Sequence, residues 1–231
     1  MSLPNYKIPL FDIDWTLLEG GHTIHDDAFT HAYETIYQLK GASIHEVEHN
    51  GMIDSQILML IAQRHGVSEK KAKEKVAEAL TAMVDYFMKH ADKGSYKVMP
   101  GVKELLEELR LLNIPLGLLT GNIEEIGWEK VRRAGIKEYF TFGAFGSLAY
   151  KRVDLIPIAK KRLEEILKED IPLERFVIIG DSPLDIACAR AGNIEVIAVA
   201  AGVYKNHHLA EADLVVDSLE EKDKILEFLR I

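Results

Sequence analysis

Cysteine is almost absent: Cys188 is the single thiol among 231 residues, so no internal disulfide framework is available and a reducing, cytoplasmic setting is expected. Basic excess is absent too. The formal net charge is -9, and nucleic acid and anionic lipid both repel an acidic surface, so neither nucleic acid nor membrane is expected as a partner. No apolar run reaches the ~20 residues that span a bilayer, and no basic stretch followed by an apolar one opens the chain. Internal repeats and low-complexity segments are missing as well, which sets aside solenoids and disordered tails. What is present is a hydrophobic share of 48%, enough at this length for one domain with a large insertion or for two modest domains.

The apolar pattern has two regimes. Lys7 to Phe11 is short and mostly apolar, with Pro4 before it and Pro9 within it, and reads as a buried strand. Residues 22 to 92 then carry helical signals only: Asp26 or Asp27 is placed to cap a helix through Leu39, Asp54 to cap "SQILMLIAQRH" before Gly66, and Ser68 to open an amphipathic run to His90. From Pro100 strands and helices alternate. Strands are expected at "IPLGLLT", "YFTFGAF", "RFVIIGD", "EVIAVA" and "DLVV", with helices beginning near Gly101, Ile123, Val153, Pro183 and Ser218. Such alternation predicts an α/β fold with a doubly wound parallel sheet. The first strand lacks a neighbour in sequence, so the helical block reads as an insertion: residues 1–18 and 98–231 as α/β core, 19–97 as an all-helical cap. Glycine and polar residues in the connectors, 17–23 and 93–99, suit hinge motion.

Polar clusters sit where strands end. In "PLFDIDWTLLEGG", Asp12 and Asp14 follow the first strand, on the carboxyl side where open α/β sheets bind ligands. Residues i and i+2 leave a strand on one side, so the two carboxylates can converge on one reacting group, and a cation or shared proton must offset their repulsion. "LLTGN" offers the Thr120 hydroxyl, the small Gly121 and the amides beside Asn122 to an anion. "VIIGDSPLD" places Asp181 and Asp185 around a turn, and "SLAYKRVDL" places Lys151 and Arg152 before a helix. Each alone is also an ordinary turn, cap or solvated pair. Convergence at one sheet edge is what makes them a candidate site.

In order and spacing, "DIDWTL", "LLTGN", the basic residue before "DLIPIAKKR", and "IIGDSPLD" resemble the four motifs of the haloacid dehalogenase superfamily, and the helical insertion resembles the cap of its phosphoglycolate phosphatase-like branch. That resemblance implies a phosphatase for small phosphomonoesters, phosphoglycolate-like substrates among them, working through an aspartyl-phosphate. Asp12 would be the nucleophile and Asp14 the proton carrier. Thr120, Gly121, Asn122 and Lys151 or Arg152 would hold the phosphate. Mg2+ would lie among Asp12, the Asp14 carbonyl and Asp181, with Asp185 orienting its shell. The expected partner is a small phosphorylated metabolite, bound by a monomer or small homo-oligomer. A sugar phosphomutase of the same superfamily and a low-turnover binding or regulatory protein on this fold are the alternatives; a dehalogenase is disfavoured because a halide needs no proton from Asp14.

The chain departs from the family pattern twice. The third motif lacks its usual proline, leaving Lys151 and Arg152 as alternative cations, and Trp15 stands where glycine is usual. In the helical block, "GMIDSQI" resembles a cap segment that faces substrate, which brings in Asp54 and Ser55; helix capping explains the same letters. The nine histidines are scattered without a tight ligand motif; His22 or His25, near the first connector, could face the cleft, and a solvated hinge histidine is the alternative. "EKKAKEKVAEAL" reads as a solvated helix face, and Cys188 as packing.

Overall fold

The structure is a computed structural model that describes residues 6–20 and 23–231. Six strands form one sheet in the order β3-β2-β1-β4-β5-β6, with β1 Ile8–Phe11, β2 Leu116–Thr120, β3 Phe140–Phe145, β4 Phe176–Gly180, β5 Glu195–Val199 and β6 Leu214–Val216. All neighbours pair in parallel. Parallel strands are covered on both faces, which is why β1, β2 and β4 are apolar without alternation and buried along their length. Helices α4 (Val102–Leu111), α5 (Glu124–Arg133), α6 (Leu155–Leu167), α7 (Pro183–Ala191) and α8 (Lys222–Leu229) connect or follow the strands. α6 packs on β2 and β3, and α7 on β4 and β5. The chain order reverses at β1, between β2 and β4, and the carboxyl edge there is the crevice where such sheets bind ligands.

The segment between β1 and α4 is helical: α1 (Thr23–Ala32), α2 (Asp54–Arg64) and α3 (Glu69–His90). Its apolar faces close on a cluster of their own that includes Phe29, Tyr33, Leu58, Ile61, Met83 and Phe87. Ile123 and Ile126 at the start of α5 belong to that second cluster and tie it to the sheet domain's helices. Leu17–Glu19 and Lys97–Met99 are hydrogen-bonded to each other, Glu19 N–H donating to Lys97 O and Met99 N–H to Leu17 O, each at 2.9 Å. The connectors are thus one short two-stranded ribbon.

Four local expectations are corrected. α1 begins at Thr23, so Asp26 lies inside its first turn rather than at its cap; there the helix dipole favours a carboxylate, and Oδ2 of Asp26 pairs with His45 at 3.4 Å. The helix does not run on regularly to Leu39 but widens into a π-turn, Tyr33–Tyr37, closed by Gln38 at φ 60°. Asp54 does not cap α2, where Ile53 takes the cap position without a side-chain bond; its carboxylate is used elsewhere, as described below. Ser68 does cap α3, accepting from Lys71 N–H, while α8 starts at Lys222, after a turn that begins at Ser218. No helix among the described residues is long and apolar enough to cross a membrane.

Candidate active site

A cavity of about 260 Å³ opens over the carboxyl edge of the sheet, between it and the helical segment. β1 ends at Phe11, and the chain turns at once, Leu17 and Leu18 N–H both donating to Ile13 O at 2.9 Å. This turn sends Asp12 and Asp14 to different partners although both line the cavity. Asp12 is buried; its Oδ1 accepts from Ile13 N–H at 2.8 Å and its Oδ2 lies 3.1 Å from Nη2 of Arg152. Asp14 meets Nζ of Lys130 with both oxygens at 2.9 Å, and its Oδ2 accepts from Asn122 Nδ2 at 2.8 Å. Each aspartate has a cation of its own, which is how the chain tolerates two acids one residue apart.

The other strand ends complete the cluster. Thr120 closes β2 fully buried, its hydroxyl accepting from Asn122 Nδ2 at 2.8 Å. Ser182 and Asp185 form a reciprocal capping box at the start of α7, which fixes Oδ2 of Asp185, while its Oδ1 pairs with Arg152. Asp181 is buried, and its Oδ2 has no hydrogen-bond partner. Oxygens of Asp12, Asp181 and Asp185 lie within 4.8 Å of one another. Burial, followed by the charges of Asp185 and Asp12, pushes the Asp181 carboxyl up to about 9. Burial pushes Asp12 up to about 6, partly offset by Arg152 and reinforced by Asp185 and Asp14. Burial works against the charge of Arg152, yet Asp185 and Asp12 outweigh it and raise its pKa. An orphaned buried carboxylate oxygen beside two more carboxylates is a set of hard oxygen donors short of positive charge, and it fits a divalent cation such as Mg2+.

Lys151 is exposed and lies off the cavity, and Arg152 alone of that pair reaches the cluster. Its Nη1 also donates to Gly51 O, 3.1 Å away in the helical segment. That segment is pressed close: a Cβ on Gly121 would fall 2.0 Å from Met52 O, and one on Gly51 would fall 2.4 Å from Ser182 Oγ. Asp54 lines the cavity, whereas Ser55 is buried away from it with its hydroxyl unpartnered. Trp15 adopts φ 60°, the left-handed region, and lines the cavity mouth. His22 lies outside the described residues.

Residues 9–199 match the profile of the haloacid dehalogenase-like hydrolases. The chain belongs to that family. Among curated relatives of this hydrolase, a phosphoglycolate phosphatase of Chromobacterium violaceum is 31% identical over 54% of each chain, so that match spans about half of the relative's length. Another, from Vibrio parahaemolyticus, is 24% identical over 96% of each. The crystal structure of a predicted phosphatase from Clostridium acetobutylicum superimposes with a TM-score of 0.72 at 22% identity, covering 96% of this chain and 99% of that one; at that identity the likeness speaks for the fold.

Two residues of the hydrolase's cavity escape a reading by motif. Lys130 is a lysine amid the charges of "EEIGWEKVRR", and its signal is positional: it continues the buried stripe of Ile123, Ile126 and Gly127 around α5. His25, one of two histidines expected near the connector, lines the cavity and is buried rather than solvated, with Nε2 3.1 Å from Asp54 Oδ2.

Proposed function

We propose that this hydrolase is a Mg2+-dependent phosphoric monoester hydrolase acting on small phosphorylated metabolites through a phosphorylated Asp12. The observation that carries the reading is the placing of a buried carboxylate, Asp12, at the crevice, paired with the Arg152 guanidinium and close to Asp181, whose Oδ2 has no hydrogen-bond partner. An Oδ of Asp12 attacks phosphorus, and the bond to the leaving oxygen breaks as Asp14 gives it a proton. Asp14, then a carboxylate, takes a proton from water, whose oxygen attacks the phosphorus of the aspartyl-phosphate and releases inorganic phosphate and free Asp12. Arg152, with the Thr120 hydroxyl and the Gly121 and Asn122 backbone, neutralises and orients the phosphoryl oxygens. Asp12, Asp181 and the Asp14 carbonyl would hold Mg2+, with Asp185 fixed behind them; when bound, the ion neutralises charge on the phosphoryl group and the acids.

Residues 1–18 and 98–231 form the catalytic core in this reading, and 19–97 the cap that excludes water and meets the leaving group. Phosphoglycolate is the first substrate to try because curated relatives bear that name. The buried single thiol suits a reducing cytoplasm. Release of inorganic phosphate from a panel of phosphomonoesters, with Mg2+ and with chelator, tests the proposal. Wild type is expected to turn over only with Mg2+, and Asp12→Asn not at all. Phosphate release by Asp12→Asn near the wild-type rate would remove the covalent route.

A further inference from the structure

Lys130 is a fully buried ammonium on α5 whose three donors are all spent. Two go to Oδ1 and Oδ2 of Asp14, each at 2.9 Å, and the third to Nδ1 of His25 at 3.2 Å. The donors and acceptors count out with His25 accepting at Nδ1 and donating from Nε2–H to Oδ2 of Asp54, 3.1 Å away. The same Asp54 oxygen accepts from Ile123 N–H at 3.0 Å, at the head of α5. The chain Asp14–Lys130–His25–Asp54 therefore starts at the cavity, passes through α5, crosses into α1 and α2, and returns to α5. Packing alone does not call for this pair, since replacing both partners of a buried ion pair by well-packed hydrophobic residues is often neutral or stabilising, whereas removing the lysine alone strands its partner. All four line the cavity, and Asp14 is the more open end of the ion pair, with its side chain 29% exposed against 1% for Lys130.

We infer that Lys130 is the positioning residue for Asp14, and that it holds the carboxylate in its working orientation only while His25 and Asp54 of the helical segment are docked on it. The inference rests on the reading that Asp14 carries the proton. A carboxylate gripped at both oxygens and by Asn122 cannot rotate freely. Withdrawal of the helical segment removes the acceptor for the third donor of Lys130, and the ammonium is then free to swing with its partner. Docking of the segment and placement of the proton carrier thus become one event, which keeps the acid from working on an open, wet site.

The test uses the full chain and a series of substituted aryl phosphates together with one alkyl phosphate, comparing kcat/KM across leaving groups. That comparison is a ratio within one enzyme sample, so a loss of folded protein leaves it unmoved. Lys130→Met is expected to lose about 10- to 100-fold on the poorest leaving group and less than about threefold on the best, the misplacement of an acid mattering only where a proton is needed. His25→Gln is expected to steepen the dependence in the same direction by a smaller factor, and it keeps the question open to measurement should Lys130→Met fail to fold. Asp14→Asn sets the limit, and adding Lys130→Met to it is expected to steepen nothing further. A Lys130→Met profile parallel to wild type beside a steep Asp14→Asn profile overturns the inference and leaves the proposed function standing. A flat Asp14→Asn profile brings down the proton-carrier reading itself. A His25→Gln profile parallel to wild type overturns the coupling to the helical segment.

Discussion

At the scale of single residues, identity was legible where the chain turns and illegible where side chains reach. Asp12, Thr120, Asp181 and Asp185 are marked because each ends a strand or opens a helix, and backbone position dictates where they stand. Between Lys151 and Arg152 sequence offers no choice, because one residue of rotation in the turn Arg152–Asp154 decides which cation points inward. The structure makes a sharp prediction there. Lys151→Ala removes an exposed charge and is expected to change stability by less than about 0.5 kcal/mol with unchanged kinetics. Arg152→Gln leaves Asp12 and Asp185 buried without their cation, and is expected to cost about 3–5 kcal/mol in chemical denaturation as well as most of the turnover. Equal effects from the two variants would contradict the placing of Arg152. Cys188 gives a second check: burial, opposed by Arg152, pushes its thiol up to about 12, so alkylation of the folded protein near neutral pH should be far slower than that of the unfolded chain.

Elements were the most legible level, since a parallel sheet demands unbroken apolar strands and these are easily seen. The docking of loops onto that sheet was not, because it depends on close approaches of backbone that leave no pattern beyond a glycine. Trp15 shows how such contacts are built. Nε1 of its indole would lie 2.0 Å from a Cβ on Gly20, and its own Cβ 2.8 Å from one on Gly202, so the ring fills the space between the connector ribbon and the loop after β5. The left-handed backbone at Trp15 costs about 1–2 kcal/mol that a glycine would not pay, while Trp15→Gly also forfeits the half-buried ring. These terms oppose each other, and little net change in melting temperature is expected. Kinetics should change instead: without its wedge the ribbon bends more freely, and kcat and KM shift together. Wild-type constants for Trp15→Gly would reduce the indole to filler. Gly121→Ala probes the opposite contact, since its Cβ would meet Met52 O at 2.0 Å; it should lower kcat/KM by holding the helical segment off the sheet.

Across the whole molecule, the net charge of -9 says nothing of where charge is concentrated, and the decisive concentration is the trio of Asp12, Asp181 and Asp185. Its members come from the end of β1, the β4–α7 turn and the first turn of α7, and only the pairing of β1 with β4 makes them neighbours. A pH dependence of stability follows. The Asp12 and Asp181 carboxyls are raised to about 6 and about 9 from an unfolded value of 3.8. Between 3.8 and 9 these two groups therefore bind more protons in the native state than in the unfolded chain, and their contribution to metal-free stability falls as pH rises through that window. Carboxylates whose pKa is lowered, such as Glu129 and Asp213, act with the opposite sign, but their contribution is complete above their unfolded values of 4.5 and 3.8 and leaves the slope at higher pH untouched. A divalent cation competes with protons for the same oxygens, so its stabilisation grows as the protons leave. Thermal melts from about pH 5 to about pH 8.5 are thus expected to decline in chelator and to flatten in saturating Mg2+. Asp181→Asn should remove most of the decline and most of the response to Mg2+. A chelated protein whose melting temperature held level or rose across that range would contradict the crowding of uncompensated acid at the crevice.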